Sequence, residues 1–180
     1  MTAEHIAASM ERVVSALRRK PHAGLHDDTP ARVRWAGGLR TVATSATGAE
    51  VATDMPAAIG GDDSAATPGW LLRTALASCA VTRIAMEAAS RGIALRTLEA
   101  HVTSRSDLRG LVGVTEPDGR RVSAGPLAMD LHVRIAATDV DAQTLRALVE
   151  STPGCSPVTC ALETPLAVGL HVEVAEGVEG

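Results

Sequence analysis

Helix-period patterns mark two long segments of the chain. From Ala3 to Arg19, apolar residues recur at three- and four-residue steps, which predicts an amphipathic helix. Thr2 is a suitable N-cap for it, and Pro21 lies just past its end. The segment from Pro68 to Arg91 is instead apolar on most of its circumference, which is typical of a helix buried at the centre of a domain. At 1.5 Å per residue, a helix of about 24 residues would be about 36 Å long.

Alternating apolar and polar residues predict strands elsewhere. The alternation on either side of Gly37-Gly38 predicts a hairpin, and the segment GAEVATDMP after it is a candidate third strand. Three later segments alternate in the same way: Leu98–Val102, Leu127–Ile135 and Leu166–Val174. Between the last two, Asp139 or Asp141 can cap a helix, and PVTCALE is a candidate short helix.

This order of elements predicts an α+β fold, with a mostly antiparallel sheet wrapped around the long hydrophobic helix. The domain organisation that we predict is an N-terminal helical arm at residues 1–20 and one domain at residues 31–176. The chain has 180 residues, of which 46% are hydrophobic and 21% charged, values that suit a single globular domain.

Composition also narrows the function classes. The net charge is −4, there is no Phe or Tyr, and no basic cluster is dense, so we expect no nucleic-acid partner. The N-terminus lacks the pattern of a signal peptide, and no apolar stretch is long enough to predict a membrane span. Three cysteines suit free or redox-active thiols better than a disulfide framework, and we therefore expect a cytoplasmic protein.

Motifs for metal or nucleotide chemistry are not found. The six histidines form no HExxH pattern, and no Cys–His pair has zinc-finger spacing, so we expect neither a metal nor a cofactor. The Gly pairs do not match a phosphate-binding loop, and no GxSxG elbow is present. His101, His132 and His171 fall in predicted strands next to core positions, and we expect them to point outward.

The thiols are the remaining candidates. Cys79 lies in the long apolar helix among small residues, where it is either core filler or an approachable nucleophile. Arg83 is one helical turn later, where it could stabilise a thiolate or pair with Glu87. A second thiol, Cys155, precedes the predicted short helix.

Two long stretches resemble one known family. DMPAAIGGDDSAATPGWLLRTALASCAVT and PGCSPVTCALETPLAVGLHVEV, together with the order of elements from about Val33 to Val174, resemble the OsmC/Ohr family of osmotically inducible and organic-hydroperoxide-resistance proteins. The resemblance implies an intertwined homodimer with active sites at the dimer interface. It also implies a thiol-dependent peroxidase of oxidative-stress defence, which reduces organic hydroperoxides or hydrogen peroxide and is recycled by a dithiol reductant.

The same resemblance implies residue roles. Cys79 matches the attacking cysteine, Cys155 is the best candidate for the resolving cysteine, and Arg40 resembles the activating arginine. Cys160 is a second candidate for resolution, and Arg34, Arg73 or Arg83 could replace Arg40.

Two positions depart from the family pattern. Gly69 stands where family enzymes of the resistance branch carry Glu, and Ser156, rather than a cysteine, directly precedes Pro157. The missing acid at position 69 favours an alternative function, a non-catalytic OsmC-like domain that binds a small apolar or thiol ligand, whereas the presence of Cys79 and Cys155 favours the enzyme.

Overall fold

The structure, a computed structural model, describes residues 2–164 and 166–175. The outer limits of the predicted arm and domain, positions 1 and 176, lie outside these residues. The helices are α1 (Ala3–Arg19), α2 (Pro68–Ser90), α3 (Leu108–Leu111), α4 (Ala142–Glu150) and α5 (Pro157–Glu163). The strands are β1 (Arg32–Trp35), β2 (Thr41–Thr44), β3 (Glu50–Thr53), β4 (Leu95–Arg105) and β5 (Ala128–Ala137).

The strands form two antiparallel sheets, which confirms the α+β prediction. One sheet has the order β1-β2-β3, and the other pairs β4 with β5 along most of their length. The predicted hairpin is present, with Trp35 opposite Thr41 across its turn. Gly37 and Gly38 both have positive φ, 99° and 54°, a conformation that residues with a Cβ rarely adopt.

The long central helix is confirmed as α2. Thr67 caps it by accepting a hydrogen bond from the backbone N–H of Trp70, and Pro68 occupies its first turn. Its buried residues include a stripe at four-residue steps: Leu76, Ala80, Ile84 and Ala88. The principal neighbours of α2 are β4, α1, α4 and α5. Although α2 is apolar on most of its circumference, the fold of one chain therefore buries only part of that surface.

The core of the chain lies between α2, α4 and the β4-β5 sheet. Ile84, Ala88 and Leu148 are at most 1% exposed and are in mutual contact. Apolar side chains of β4 and β5 pack against this cluster, among them Leu98 and Val133. Asp141 caps α4 by accepting from the backbone N–H of Thr144, which decides between the two aspartates that the sequence left open.

The predicted final strand, Leu166–Val174, is not formed in the structure. No β-ladder includes these residues, and the apolar members of the alternation are between 75% and 89% exposed: Leu166, Val168, Leu170, Val172 and Val174. A strand needs a neighbour to receive its backbone hydrogen bonds, and no other described segment of the chain pairs with this one. The alternating pattern alone was therefore insufficient to place a strand here.

No helix within residues 2–164 and 166–175 combines the length and the apolar character needed to cross a membrane.

Candidate functional site

Cys79 lies on the half-buried side of α2, next to a residue from the far end of the chain. The hydroxyl of Ser156 donates a hydrogen bond to the Sγ atom of Cys79 at 3.2 Å. Ser156 itself is only 1% exposed. The thiol is therefore in contact with a buried, oriented donor, an arrangement that stabilises sulfur when it carries negative charge.

Local structure explains why the Ser156 hydroxyl points at sulfur. Ser156 is the N-cap of α5, and its Oγ accepts from the backbone N–H of Thr159 at 3.3 Å. The Thr159 hydroxyl donates to the same oxygen at 2.9 Å. A hydroxyl has two acceptor lone pairs and one proton, so two donors on the oxygen direct its proton to Cys79. The start of α5 thus fixes a chain of hydrogen bonds from the Thr159 hydroxyl through the Ser156 hydroxyl to the Cys79 thiol.

A cavity of about 260 Å³ adjoins this chain of hydrogen bonds. Its walls are mainly apolar side chains of α2 and β5, and the polar groups that it exposes include Ser156, Thr159 and Glu163. Cavities of this kind, largely apolar with a few polar groups at one side, are typical of sites for small molecules. Ser156 both lines this cavity and contacts Cys79, so the cavity adjoins the thiol through Ser156.

The other two cysteines are both exposed, and all three cysteines are free thiols. Cys155 ends a short 3₁₀ turn, Pro153–Cys155, and is the residue before Ser156. The thiol of Cys160 lies 3.6 Å from the carbonyl oxygen of Gly154. In this conformation the position against Cys79 is therefore occupied by Ser156 rather than by Cys155, the residue that the resemblance suggested for resolution.

Arg40 belongs to a different hydrogen-bonded group. Its guanidinium donates to the Ser64 hydroxyl at 2.6 Å, and that hydroxyl donates to the Asp54 carboxylate at 2.7 Å. The Asp54 carboxylate also accepts from the backbone N–H groups of Met55, Asp62 and Ser64. These bonds, above all those from Ser64, lower the pKa of Asp54 from 3.8 to about 2.

Arg40 is thus tied to the loop that Asp54 organises. No hydrogen bond joins Arg40 to Cys79 among the residues that the structure describes, so these two predicted site residues are not brought together here. The loop is tightly closed, because a Cβ at Gly61 would lie 1.8 Å from the backbone oxygen of Met55.

The alternative arginines differ in their surroundings. Arg83 pairs with Glu87 at 3.5 Å, the i,i+4 partner that the sequence offered, and its buried Nε has no hydrogen-bond partner in the described part of the chain. Arg73 donates to Ser104 at 3.2 Å, and a Cβ at Gly69 would lie 3.8 Å from Arg73 Nη1. A side chain at position 69 would therefore meet Arg73, one turn further along α2. Arg34 lies on β1 and is exposed.

Sequence reasoning did not assign Ser156 or Thr159 to the site. The sequence does contain a local signal for the cap. Ser156 is followed by Pro157, and a Ser-Pro pair is a typical start of a helix. That signal identifies the cap, but the contact with a residue 77 positions earlier depends on tertiary packing.

The relatives of the chain can now be considered. A family model described as OsmC-like protein matches residues 61–171, more than half of the chain. The chain belongs to the OsmC-like protein family. The matched residues include Cys79, Ser156 and the α2–β4–β5 core that positions them. No curated protein matches the chain in sequence.

Solved structures with the same fold come from several bacteria. An OsmC-like protein from Mycoplasma pneumoniae has a TM-score of 0.62 at 16% identity, over 77% of this chain and 89% of that one. A protein assigned to the osmotic stress induced and detoxification response of Psychrobacter arcticus has 28% identity and a TM-score of 0.52, over 76% and 89%. An organic hydroperoxide resistance protein, OsmC, from Legionella pneumophila has 17% identity and a TM-score of 0.53, over 76% and 91%. These structures show that the chain shares its fold with proteins whose names refer to osmotic stress and to hydroperoxide resistance.

Proposed function

We propose that this protein is a thiol-dependent peroxidase that reduces organic hydroperoxides or hydrogen peroxide in the defence of the cytoplasm against oxidative stress. The observation that carries the proposal is the 3.2 Å hydrogen bond from the buried Ser156 hydroxyl to the Cys79 thiol, next to an apolar cavity. The thiolate is the nucleophilic form of cysteine, and the Ser156 hydroxyl is placed to donate a hydrogen bond to its sulfur. An apolar cavity suits the organic part of a hydroperoxide.

The reaction starts with Cys79. Its thiolate attacks one peroxide oxygen, the O–O bond breaks, and the departing alkoxide takes up a proton and leaves as an alcohol. Cys79 becomes a sulfenic acid. The Cys155 thiol then attacks that sulfur, forming a disulfide and releasing water. A dithiol reductant finally exchanges with the disulfide, returns both thiols and becomes oxidised itself.

For resolution, the Cys155 thiol has to take the place that the Ser156 hydroxyl now holds against Cys79. A disulfide needs Cα atoms within about 7 Å of each other. Cys155 is exposed and lies in a 3₁₀ turn of only three residues, Pro153–Cys155, which has few hydrogen bonds to lose on rearranging. We assign the activation of the Cys79 thiol to Arg40. The Arg40 guanidinium must first release its hydrogen bond to the Ser64 hydroxyl before it can contact Cys79.

We also propose that the protein is a homodimer. α2 is apolar on most of its circumference but buries mainly one stripe, and Trp70 at its start is 47% exposed. The alternating segment 166–174 exposes all five of its outward apolar side chains, with no strand beside it among the described residues. A second copy supplies both an apolar cover for α2 and a strand partner for this segment. Light scattering with size-exclusion chromatography tests this, and a monomer at micromolar concentration would contradict it.

Thiol counting tests the catalytic proposal. We expect one equivalent of cumene hydroperoxide to remove about two thiols per chain rapidly from the reduced protein, because sulfenic acid formation is followed by disulfide formation. Cys155→Ser should stop at one, and Cys79→Ser should react only slowly. Cys160→Ser is the matched control, being exposed on the same segment. If thiol loss is slow and does not depend on Cys79, the peroxidase proposal fails; if Cys160→Ser alone blocks the second loss, Cys160 is the resolving residue.

The second candidate function is a non-catalytic domain that binds a small apolar or thiol ligand in the same cavity. Gly69 in place of an acid favours it. Binding of a small thiol without turnover of hydroperoxide would support this alternative.

A further inference from the structure

Two histidines face each other on the outward side of the β4-β5 sheet. His101 of β4 is directly opposite His132 of β5 in the antiparallel register. Their rings are stacked, with centroids 4.6 Å apart and planes within 9° of parallel. Both side chains are exposed, and neither ring makes a hydrogen bond to any residue that the structure describes. Two imidazoles with unused nitrogens are therefore held side by side by a rigid pair of strands.

We propose that His101 and His132 form a binding site for a divalent transition-metal ion of the Ni²⁺, Cu²⁺ and Zn²⁺ class. Side chains directly opposite each other on antiparallel strands have Cβ atoms about 4.5–5.5 Å apart. Metal–imidazole bonds of about 2.0–2.1 Å are then reached by rotating the rings, without moving the backbone. Neutral imidazole is a preferred ligand of these ions, whereas Mg²⁺ and Ca²⁺ prefer sets of oxygen ligands.

The charged groups around the pair are compatible with a cation. On the same face, Glu99 pairs with Arg134 at 3.3 Å, which balances that carboxylate and that guanidinium locally. Asp130 lies opposite Thr103, one outward position along the strands from the histidines, and adds negative charge beside them. No group of three or more potential protein ligands is found in residues 2–164 and 166–175, so water completes the coordination of the ion.

This site is separate from the thiol chemistry. The inner face of the same two strands, through residues such as Leu98 and Val133, packs against the core of α2. The sulfur of Cys79 on α2 is hydrogen-bonded to Ser156 of α5, and the two histidine rings are stacked on each other. The proposal does not depend on whether Cys79 reacts with hydroperoxides.

Calorimetric titration with Ni²⁺ tests the site, after the thiols of the folded protein are blocked with N-ethylmaleimide. We expect about one Ni²⁺ per chain, and a loss of affinity of at least tenfold in His101→Asn and in His132→Asn, because each removes one of two direct ligands. His26→Asn is the matched control, since His26 is an exposed histidine paired with Asp28 in the N-terminal loop; it should leave the affinity unchanged. Ni²⁺ should also raise the melting temperature of the parent protein but not of the two variants.

A second readout separates metal binding from effects on folding. In the folded parent protein, paramagnetic Ni²⁺ should broaden the imidazole proton resonances of His101 and His132 before those of other histidines. Equal affinity in His101→Asn and the parent would overturn the proposal. The proposal would also be overturned if the protein bound Ni²⁺ before but not after its thiols were blocked, and if Ni²⁺ left the histidine resonances of the unblocked protein unchanged. That result would assign the metal to the cysteines.

Discussion

Replacing Ser156 with cysteine should create a disulfide with Cys79. The Ser156 oxygen is 3.2 Å from Cys79 Sγ, and a disulfide bond is about 2.05 Å long, so the two atoms need to approach by only about 1 Å. The test protein is Ser156→Cys with Cys155→Ser and Cys160→Ser, in which only two thiols remain. Mild oxidation with oxidised glutathione should then remove both thiols within a single chain.

The size of the effect follows from the length of the closed loop. The two residues are separated by 77 positions, and restricting the unfolded chain across such a loop is worth about 4.5 kcal/mol at 25 °C in the chain-entropy model. For a chain of this size, a change of that order corresponds to a rise in melting temperature of about 10 °C. The comparison is between oxidised and reduced samples of the same variant, so that any cost of the substitutions themselves cancels.

The control is the same protein with Cys79→Ser, which should show no thiol loss within the chain and no shift in melting temperature. If the two thiols of the test protein stay free under oxidation while the reduced protein is folded by circular dichroism, then residue 156 does not lie against Cys79. The site described here, and the mechanism built on it, would then be refuted.

Three further predictions concern the site and the fold. Ser156→Ala should slow alkylation of Cys79 by iodoacetamide at pH 7 by about five- to tenfold, because a hydrogen bond to a charged acceptor is worth about 1 kcal/mol more than one to a neutral acceptor; an unchanged rate would contradict this. The pKa of Asp54 is held at about 2 in the fold against 3.8 ordinarily, so its contribution to stability is complete above about pH 5 and is lost progressively as the pH falls from there through 2. Asp54→Asn should therefore lower the free energy of unfolding at pH 7. In urea unfolding, the free energy of unfolding of this variant should also fall less between pH 4 and pH 2 than that of the parent protein. An equal fall in the two proteins would contradict the stabilising role of the Asp54 carboxylate. Leu148→Ala, at a site with no exposure, should cost about 2–5 kcal/mol in urea unfolding. Leu127→Ala, at a site 58% exposed, should cost far less, and equal losses would mean that the core is misplaced.

Local signals explain which parts of the fold could be predicted from the sequence. The start of α2 is encoded within a few residues by Thr67 and Pro68, and the first hairpin by two glycines that tolerate positive φ. Each of these depends on the chemistry of neighbouring positions, and both appear in the structure. Cys79 could be selected as a candidate because its helix and its small neighbours are visible in the sequence.

The partner of Cys79 could not be selected in the same way. Ser156 and Cys155 are adjacent, and both precede a helix that begins with Pro157. Which of them faces the thiol depends on the rotation of the helix start against α2, and neighbouring positions on a helix differ by about 100°. The resemblance to the family favoured a thiol at this place, whereas the geometry of the cap directs a hydroxyl there.

The segment 166–174 differs from both of these cases, because its sequence pattern and its environment disagree. Burying a Val or Leu side chain is worth about 1.5–3 kcal/mol, and five such side chains alternate here with small or polar ones, yet all five are exposed to water. Alternation of this kind stabilises nothing in a segment that stays exposed to water, because alternate side chains share one buried face only when the segment is part of a sheet. The strand prediction was wrong for one chain because periodicity specifies which side chains share a face, and not which chain supplies the neighbouring strand. The pattern therefore argues for a partner outside the chain. If that partner is the second copy that we propose, replacing Val168 and Leu170 with Asp should weaken the proposed dimer in light scattering while leaving the core around Leu148 folded.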